Sequence, residues 1–80
     1  MVVAEVKIEL KEGVADPEGM NTKKALELLG WDIEGVKSGK IFEIDLGEEY
    51  TEEEAKEEVE EMCKRLLANP VIQTYDIEIK

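Results

Sequence analysis

Residues 2–10, VVAEVKIEL, alternate. Val2, Ala4, Val6, Ile8 and Leu10 share one parity, and Val3, Glu5, Lys7 and Glu9 share the other. Alternation with one apolar side predicts a strand with one buried face. Asp16 then suits a helix N-cap and Pro17 the first helical position, where a missing N–H is no loss. The spacing predicts a helix from about 17 to 29, with Ala25, Leu26 and Leu29 as its apolar stripe, Met20 and Leu28 at the flanks, and Gly30 as its stop. From Ile33 to Leu46 the chain reads as extended, with Val36, Phe42, Ile44 and Leu46 on one parity. Ser38-Gly39 interrupts that run, as a hairpin turn or as a bulge in one long strand. The favoured reading is a short strand, a turn and a longer strand.

Thr51-Glu52-Glu53-Glu54 is a capping box, in which the Thr51 hydroxyl caps a helix and Glu54 reaches back. Ala55, Val59, Met62, Cys63, Leu66 and Leu67 form its apolar stripe, Lys64 and Arg65 complement its C-terminal dipole, and Asn69-Pro70 ends it. A last strand is expected from Val71 to Ile79, with Val71, Tyr75, Ile77 and Ile79 on one face. The element order is β-α-β-β-α-β, or β-α-β-α-β if the middle run is continuous. Two amphipathic helices on one face of a small, mainly antiparallel sheet make an α+β domain spanning residues 1–80. On the sheet's other face Val3, Ile41 and Ile72 stand among charged residues. If they meet, they form a self-association patch through which two sheets pair.

Composition narrows the function. A chain of 80 residues allows one domain, and so small a domain is often only marginally stable alone. The formal charge of −11 is uneven: residues 41–80 hold thirteen acids and four bases, residues 1–40 eight and six. Nucleic acid and anionic membranes are therefore disfavoured, since both need clustered cations. A single cysteine excludes an internal disulfide, and the absence of histidine makes a zinc site improbable. The Met1-Val2-Val3 opening is unlike a signal peptide, and no apolar run approaches the roughly 20 residues a membrane helix needs. A soluble cytoplasmic protein is expected.

Candidate chemistry is sparse. Without histidine no Ser-His or Cys-His pair is possible, and Cys63, beside the apolar stripe, reads as a small buried thiol. Nine glutamates lie between Glu48 and Glu61, but a single continuous run reads as a solvated helix face rather than converging acid–base groups. Ser38-Gly39-Lys40 lacks the spacing and following helix of a phosphate loop. Lys40 shares the parity of Phe42, so the favoured reading is a stem lying over apolar surface with its amine at an edge, and the alternative is a contact to a partner carboxylate. Trp31 reads as a lid on one end of the core. Gly19, at the third helical position, costs about 1 kcal/mol against alanine. Close approach by a partner or a neighbouring strand would justify that cost, and Gly19→Ala is then expected to raise stability slightly while weakening assembly.

Three stretches carry a family likeness. KEGVADPEG, Lys11 to Gly19, resembles the Lys-x-x-Val-x-Asp-Pro-x-Gly signature of the small PurS subunits of phosphoribosylformylglycinamidine synthase. Val36-Lys37-Ser38-Gly39-Lys40 resembles their Val-x-x-Gly-Lys turn, and RLLANPVIQTY, Arg65 to Tyr75, their Leu-Leu-Ala-Asn-x-Val-Ile-x-x-Tyr segment. Glu18 stands where that family often has glutamine. The resemblance implies a subunit without catalytic, cofactor-binding or metal-binding residues of its own. It would serve an ATP- and glutamine-dependent C–N ligase of purine biosynthesis. ATP and magnesium would sit on a large synthetase subunit, ammonia would come from a glutaminase subunit, and this chain, as a homodimer or homotetramer, would bridge the two. Lys11, Asp16, Gly19, Gly39 and Lys40 become candidate partner contacts because they lie in the matching stretches. The competing reading is a ferredoxin-like regulatory domain that binds a small molecule. An independent carboxylate enzyme is disfavoured because no acid pair with plausible roles can be named.

Overall fold

The computed structural model describes residues 1–80. The alternating run forms β1 (Val2–Leu10), the Asp16-capped segment forms α1 (Pro17–Leu28), and a second strand, β2, runs from Gly39 to Gly47. The capping box opens α2 (Glu52–Met62), which continues through a π-helical turn, Cys63–Leu67, and β3 (Gln73–Ile79) completes the chain. β1 is the central strand of three, antiparallel to β2 on one side and to β3 on the other. The architecture is the expected α+β one, with a purely antiparallel sheet and two helices. No helix is long and apolar enough to cross a membrane.

The core follows from parity. Ala4, Val6 and Ile8 of β1 are buried beneath Ala55, Val59, Cys63 and Ala68, and these small side chains let helix and sheet approach closely. Phe42, Ile44 and Leu46 of β2 and Tyr75, Ile77 and Ile79 of β3 pack around them, half-buried. Both halves of the capping box are present: Glu54 N–H donates to Thr51 Oγ1 at 3.2 Å, and Thr51 N–H donates to Glu54 Oε1 at 3.1 Å. Burial raises the Cys63 thiol above its ordinary pKa, and the neighbouring Glu60 charge adds to that shift.

Four expectations need correcting. Residues 33–37 form no strand, so the order is β-α-β-α-β, and Ser38-Gly39 marks where β2 begins rather than a hairpin or bulge. β3 begins at Gln73 because Val71 and Ile72 belong to a turn built on Asn69. There the Asn69 carbonyl accepts from Ile72 and Gln73 N–H, its Oδ1 accepts from Val71 N–H, and its own N–H donates to Gln73 Oε1 at 2.7 Å. Leu66 leaves the core, at 84% exposed, because the helix widens in its last turn. Ala68 N–H reaches the Cys63 carbonyl five residues back, and Ala68 turns inward in place of Leu66. Trp31 is not a lid; it stands 58% exposed.

The helices also differ in what they cover. α2 lies over β1 and β3. α1 buries only Gly19 and projects from the end of the sheet where β1 finishes and β2 starts. The molecule is accordingly elongated, 49 × 26 × 15 Å. A nine-residue strand is about 30 Å long and the twelve-residue arm α1 about 18 Å.

Candidate functional site

At the base of the arm, Asp16 joins two stretches that lie far apart in sequence. Its Oδ1 accepts from Gly19 N–H at 2.9 Å, the N3 donor of α1, and from the Ser38 hydroxyl at 2.7 Å. Its Oδ2 accepts from Ser38 N–H at 2.8 Å. These bonds hold the carboxyl below its usual value of 3.8: the Ser38 backbone N–H contributes most, then Gly19 N–H, then the Ser38 hydroxyl, with the Lys37 charge adding to them. Asp16 is therefore a charged clamp, with no proton to give and little basicity to offer.

Gly19 makes the clamp possible. A Cβ there would lie 2.5 Å from the Val36 carbonyl oxygen and 2.6 Å from Asp16 Oδ2. The close approach comes from this chain's own returning segment, so the expectation that Gly19→Ala raises stability is overturned. Gly39 has a similar role at the start of β2, where a Cβ would meet the Ile8 carbonyl oxygen at 2.7 Å.

The third stretch reaches the same place. Lys11 N–H donates to the Ile72 carbonyl at 2.9 Å, tying the end of β1 to the Asn69 turn. The first two motifs line an open groove of about 630 Å³ at one end of the sheet, whose walls include Leu10, Lys11, Val14, Asp16, Met20 and Val36, and the third is joined to its edge through the Lys11–Ile72 bond. Lys40, opposite Ile8 in the β1–β2 register, borders a smaller hollow beside it together with Glu18, Ser38 and Gln73. The chain's ion pairs are Lys7–Glu9, Arg65–Glu61 and Lys80–Glu5, so the exposed amines of Lys11 and Lys40, like those of five other lysines, form no ion pair within the chain. Of the five candidate contacts, Asp16, Gly19 and Gly39 are committed to internal structure, while Lys11 and Lys40 face outward.

Ser38 and Val36 were missed as partners of Asp16 and Gly19. The only signal was their place in the second motif, and local pattern does not announce a contact across 22 residues. No three acidic or cysteine side chains are placed to share a metal ion.

Val3, Ile41 and Ile72 are not brought together. Ile41, 63% exposed, lies opposite Lys7, four residues along β1 from Val3 and hence about 13 Å away. Ile72 sits in the turn beyond β3, level with Lys11. Between them the outer face carries Glu5, Lys7, Glu43, Asp45, Asp76 and Glu78 in directly opposed or neighbouring positions.

Comparison with known proteins gives the family of the chain. The family model for PurS, phosphoribosylformylglycinamidine (FGAM) synthase, matches residues 3–80. The PurS subunit of this synthase from Archaeoglobus fulgidus is 57% identical over 77 residues, 95% of each chain. The crystal structure of Methanocaldococcus jannaschii PurS, described as one of the subunits of formylglycinamide ribonucleotide amidotransferase in the purine biosynthetic pathway, superposes with a TM-score of 0.89 at 48% identity. That match covers 100% of this chain and 96% of the other. A chain in the structure of PurLQS from Thermotoga maritima superposes with a TM-score of 0.86 at 26% identity, over 100% and 99% of the two chains.

Proposed function

The chain belongs to the PurS family of FGAM synthase, and from that membership we propose that it is the small, non-catalytic subunit that joins the large synthetase to the glutaminase. In this reading the large subunit binds ATP, magnesium and formylglycinamide ribonucleotide and forms the C–N bond. The glutaminase subunit releases ammonia, and the small chain aligns the two in the cytoplasm so that ammonia passes without escaping. The relative found in a PurLQS structure supports membership of such a complex.

One observation carries the reading. The first two family stretches share a groove whose carboxylate with a displaced pKa, Asp16, is consumed in holding the fold, while Lys11 and Lys37 on its walls and Lys40 in the adjoining hollow form no ion pair within the chain. Such a site offers complementary charge to another protein rather than acid–base chemistry to a substrate. Lys11 and Lys40 are the contacts assigned to partner carboxylates. A ligand-binding regulatory domain is less well served by this groove, because its central carboxylate already accepts its hydrogen bonds from within the chain.

The direct test is assembly. The large subunit and the glutaminase are mixed with the chain, with its Lys11→Glu/Lys40→Glu variant, or with neither, and resolved by light scattering after size exclusion. A three-component complex is expected only with the unmodified chain. A stable complex of the other two in its absence, or unweakened incorporation of the variant, would refute the bridging role or the contact assignment respectively.

A further inference from the structure

The outer face of the sheet sets like charges in a row. Glu5, on the central strand, is directly opposed by Glu43 of β2 on one side and by Glu78 of β3 on the other. Opposed side chains start about 5 Å apart at Cβ, so three carboxylates share about 10 Å of one face, and like charges so placed are destabilising. Nearby amines offset only part of this. Lys7 is drawn to Glu9. Lys80 reaches the row, where its Nζ pairs with Glu5 Oε2. That hydrogen bond and the Glu5 charge raise the Lys80 amine above its ordinary pKa, and the charges of Glu78 and Glu43 add to the shift. The row therefore already holds one ammonium group, lent by the chain itself, and keeps two carboxylates beyond those it neutralises. The glutamates of α2 differ: they follow one exposed helix, Glu52, Glu53 and Glu54 complement its N-terminus, and its ion pair Arg65–Glu61 is local.

We propose that the Glu43–Glu5–Glu78 row seats clustered lysine or arginine side chains of one other synthase subunit, the one not held at Lys11 and Lys40, and that Lys80 occupies this seat in the free chain. Position and charge both set the two contacts apart. Glu5 lies six residues along β1 from Lys11, about 20 Å away, and the row attracts cations where Lys11 and Lys40 attract anions. A bridge with one contact of each sign cannot be inserted backwards, because reversal would place like charges together. A metal ion is a poorer occupant, since no three acidic side chains are placed to share one. The seat presupposes the bridging role, and the experiment separates the two.

The chain is titrated calorimetrically with the large subunit and with the glutaminase, separately and at two salt concentrations. Glu5→Gln/Glu43→Gln/Glu78→Gln removes the row, and Glu53→Gln/Glu57→Gln/Glu58→Gln removes equal charge from α2. The row variant is expected to bind one subunit about tenfold more weakly, with a shallower salt dependence, and the other within about twofold. The subunit left unaffected should be the one that Lys11→Glu/Lys40→Glu weakens, and the α2 variant should bind both within about twofold. Lys80→Gln, a change at a half-exposed side chain, decides even if the triple variant does not fold. Freeing the seat should tighten the row's subunit by about two- to fivefold, whereas Lys64→Gln, an equal change of net charge on the π-helical turn, should not. An unweakened row variant, equal weakening by the α2 variant, loss of the same subunit by the lysine and glutamate variants, or looser binding by Lys80→Gln would each overturn the seat and leave the bridge standing. A chain that binds neither subunit would overturn both.

Discussion

Gly19 shows how a residue that weakens a helix locally can hold the wider structure. Alanine would gain about 1 kcal/mol of helix propensity, but its Cβ would sit 2.5 Å from a backbone carbonyl that cannot swing aside. Overpacking of this kind costs about 1–3 kcal/mol, and with backbone on one side and the capping carboxylate on the other the upper end applies. Gly19→Ala is therefore expected to lower the unfolding free energy by about 1–2 kcal/mol net, read as a lower urea midpoint at unchanged slope. Asp16 makes a pH prediction of definite sign. Its folded pKa lies below 3.8, so between the folded and unfolded values the unfolded chain binds more protons. The clamp's contribution is present above the ordinary carboxylate pKa and is lost as pH falls through the depressed value. Asn at position 16 can still cap the helix but does not titrate. Urea midpoints measured from about pH 5 to 2 should fall less steeply for Asp16→Asn than for the unmodified chain, and parallel curves would contradict the clamp.

At the scale of elements, legibility depended on how local the cause was. β1 and the start of α2 could be read in advance because alternation and a capping box each specify an element within ten residues. The segment 33–37 could not. Val36 has the parity of a strand residue, but Ser38 N–H is spent on Asp16, and no strand partner is in reach. Leu66 was misplaced for a related reason, since the widening from Cys63 to Ala68 breaks the 3.6-residue period on which the stripe was drawn. α1 was correctly placed in sequence, but of its expected stripe Ala25 and Leu29 are exposed and Leu26 only half-buried. The candidate site was legible as three motifs, while their meeting depended on the register that sets Lys11 beside Ile72 and on a clamp spanning 22 residues. α2, by contrast, carries the core. Val59 is fully buried against β1, and Val59→Ala should cost about 2 kcal/mol. Thr51→Ala, which removes an exposed cap, should cost about 1 kcal/mol. Equal losses in chemical denaturation would mean that α2 is held by its cap rather than by its packed face.

The whole molecule is built on a small core. Eight of its 80 residues are buried, and Asp16, Gly19 and Ser38 of the first two motifs brace the base of α1. The most direct test is the rate of amidine formation by the large subunit and glutaminase, measured with and without this chain and with either glutamine or free ammonium as nitrogen source. The expected result is that the chain alone turns over nothing, that the glutamine-driven rate collapses without it, and that the ammonium-driven rate of the large subunit persists. An undiminished glutamine-driven rate in its absence, or turnover by the purified chain, would contradict the account.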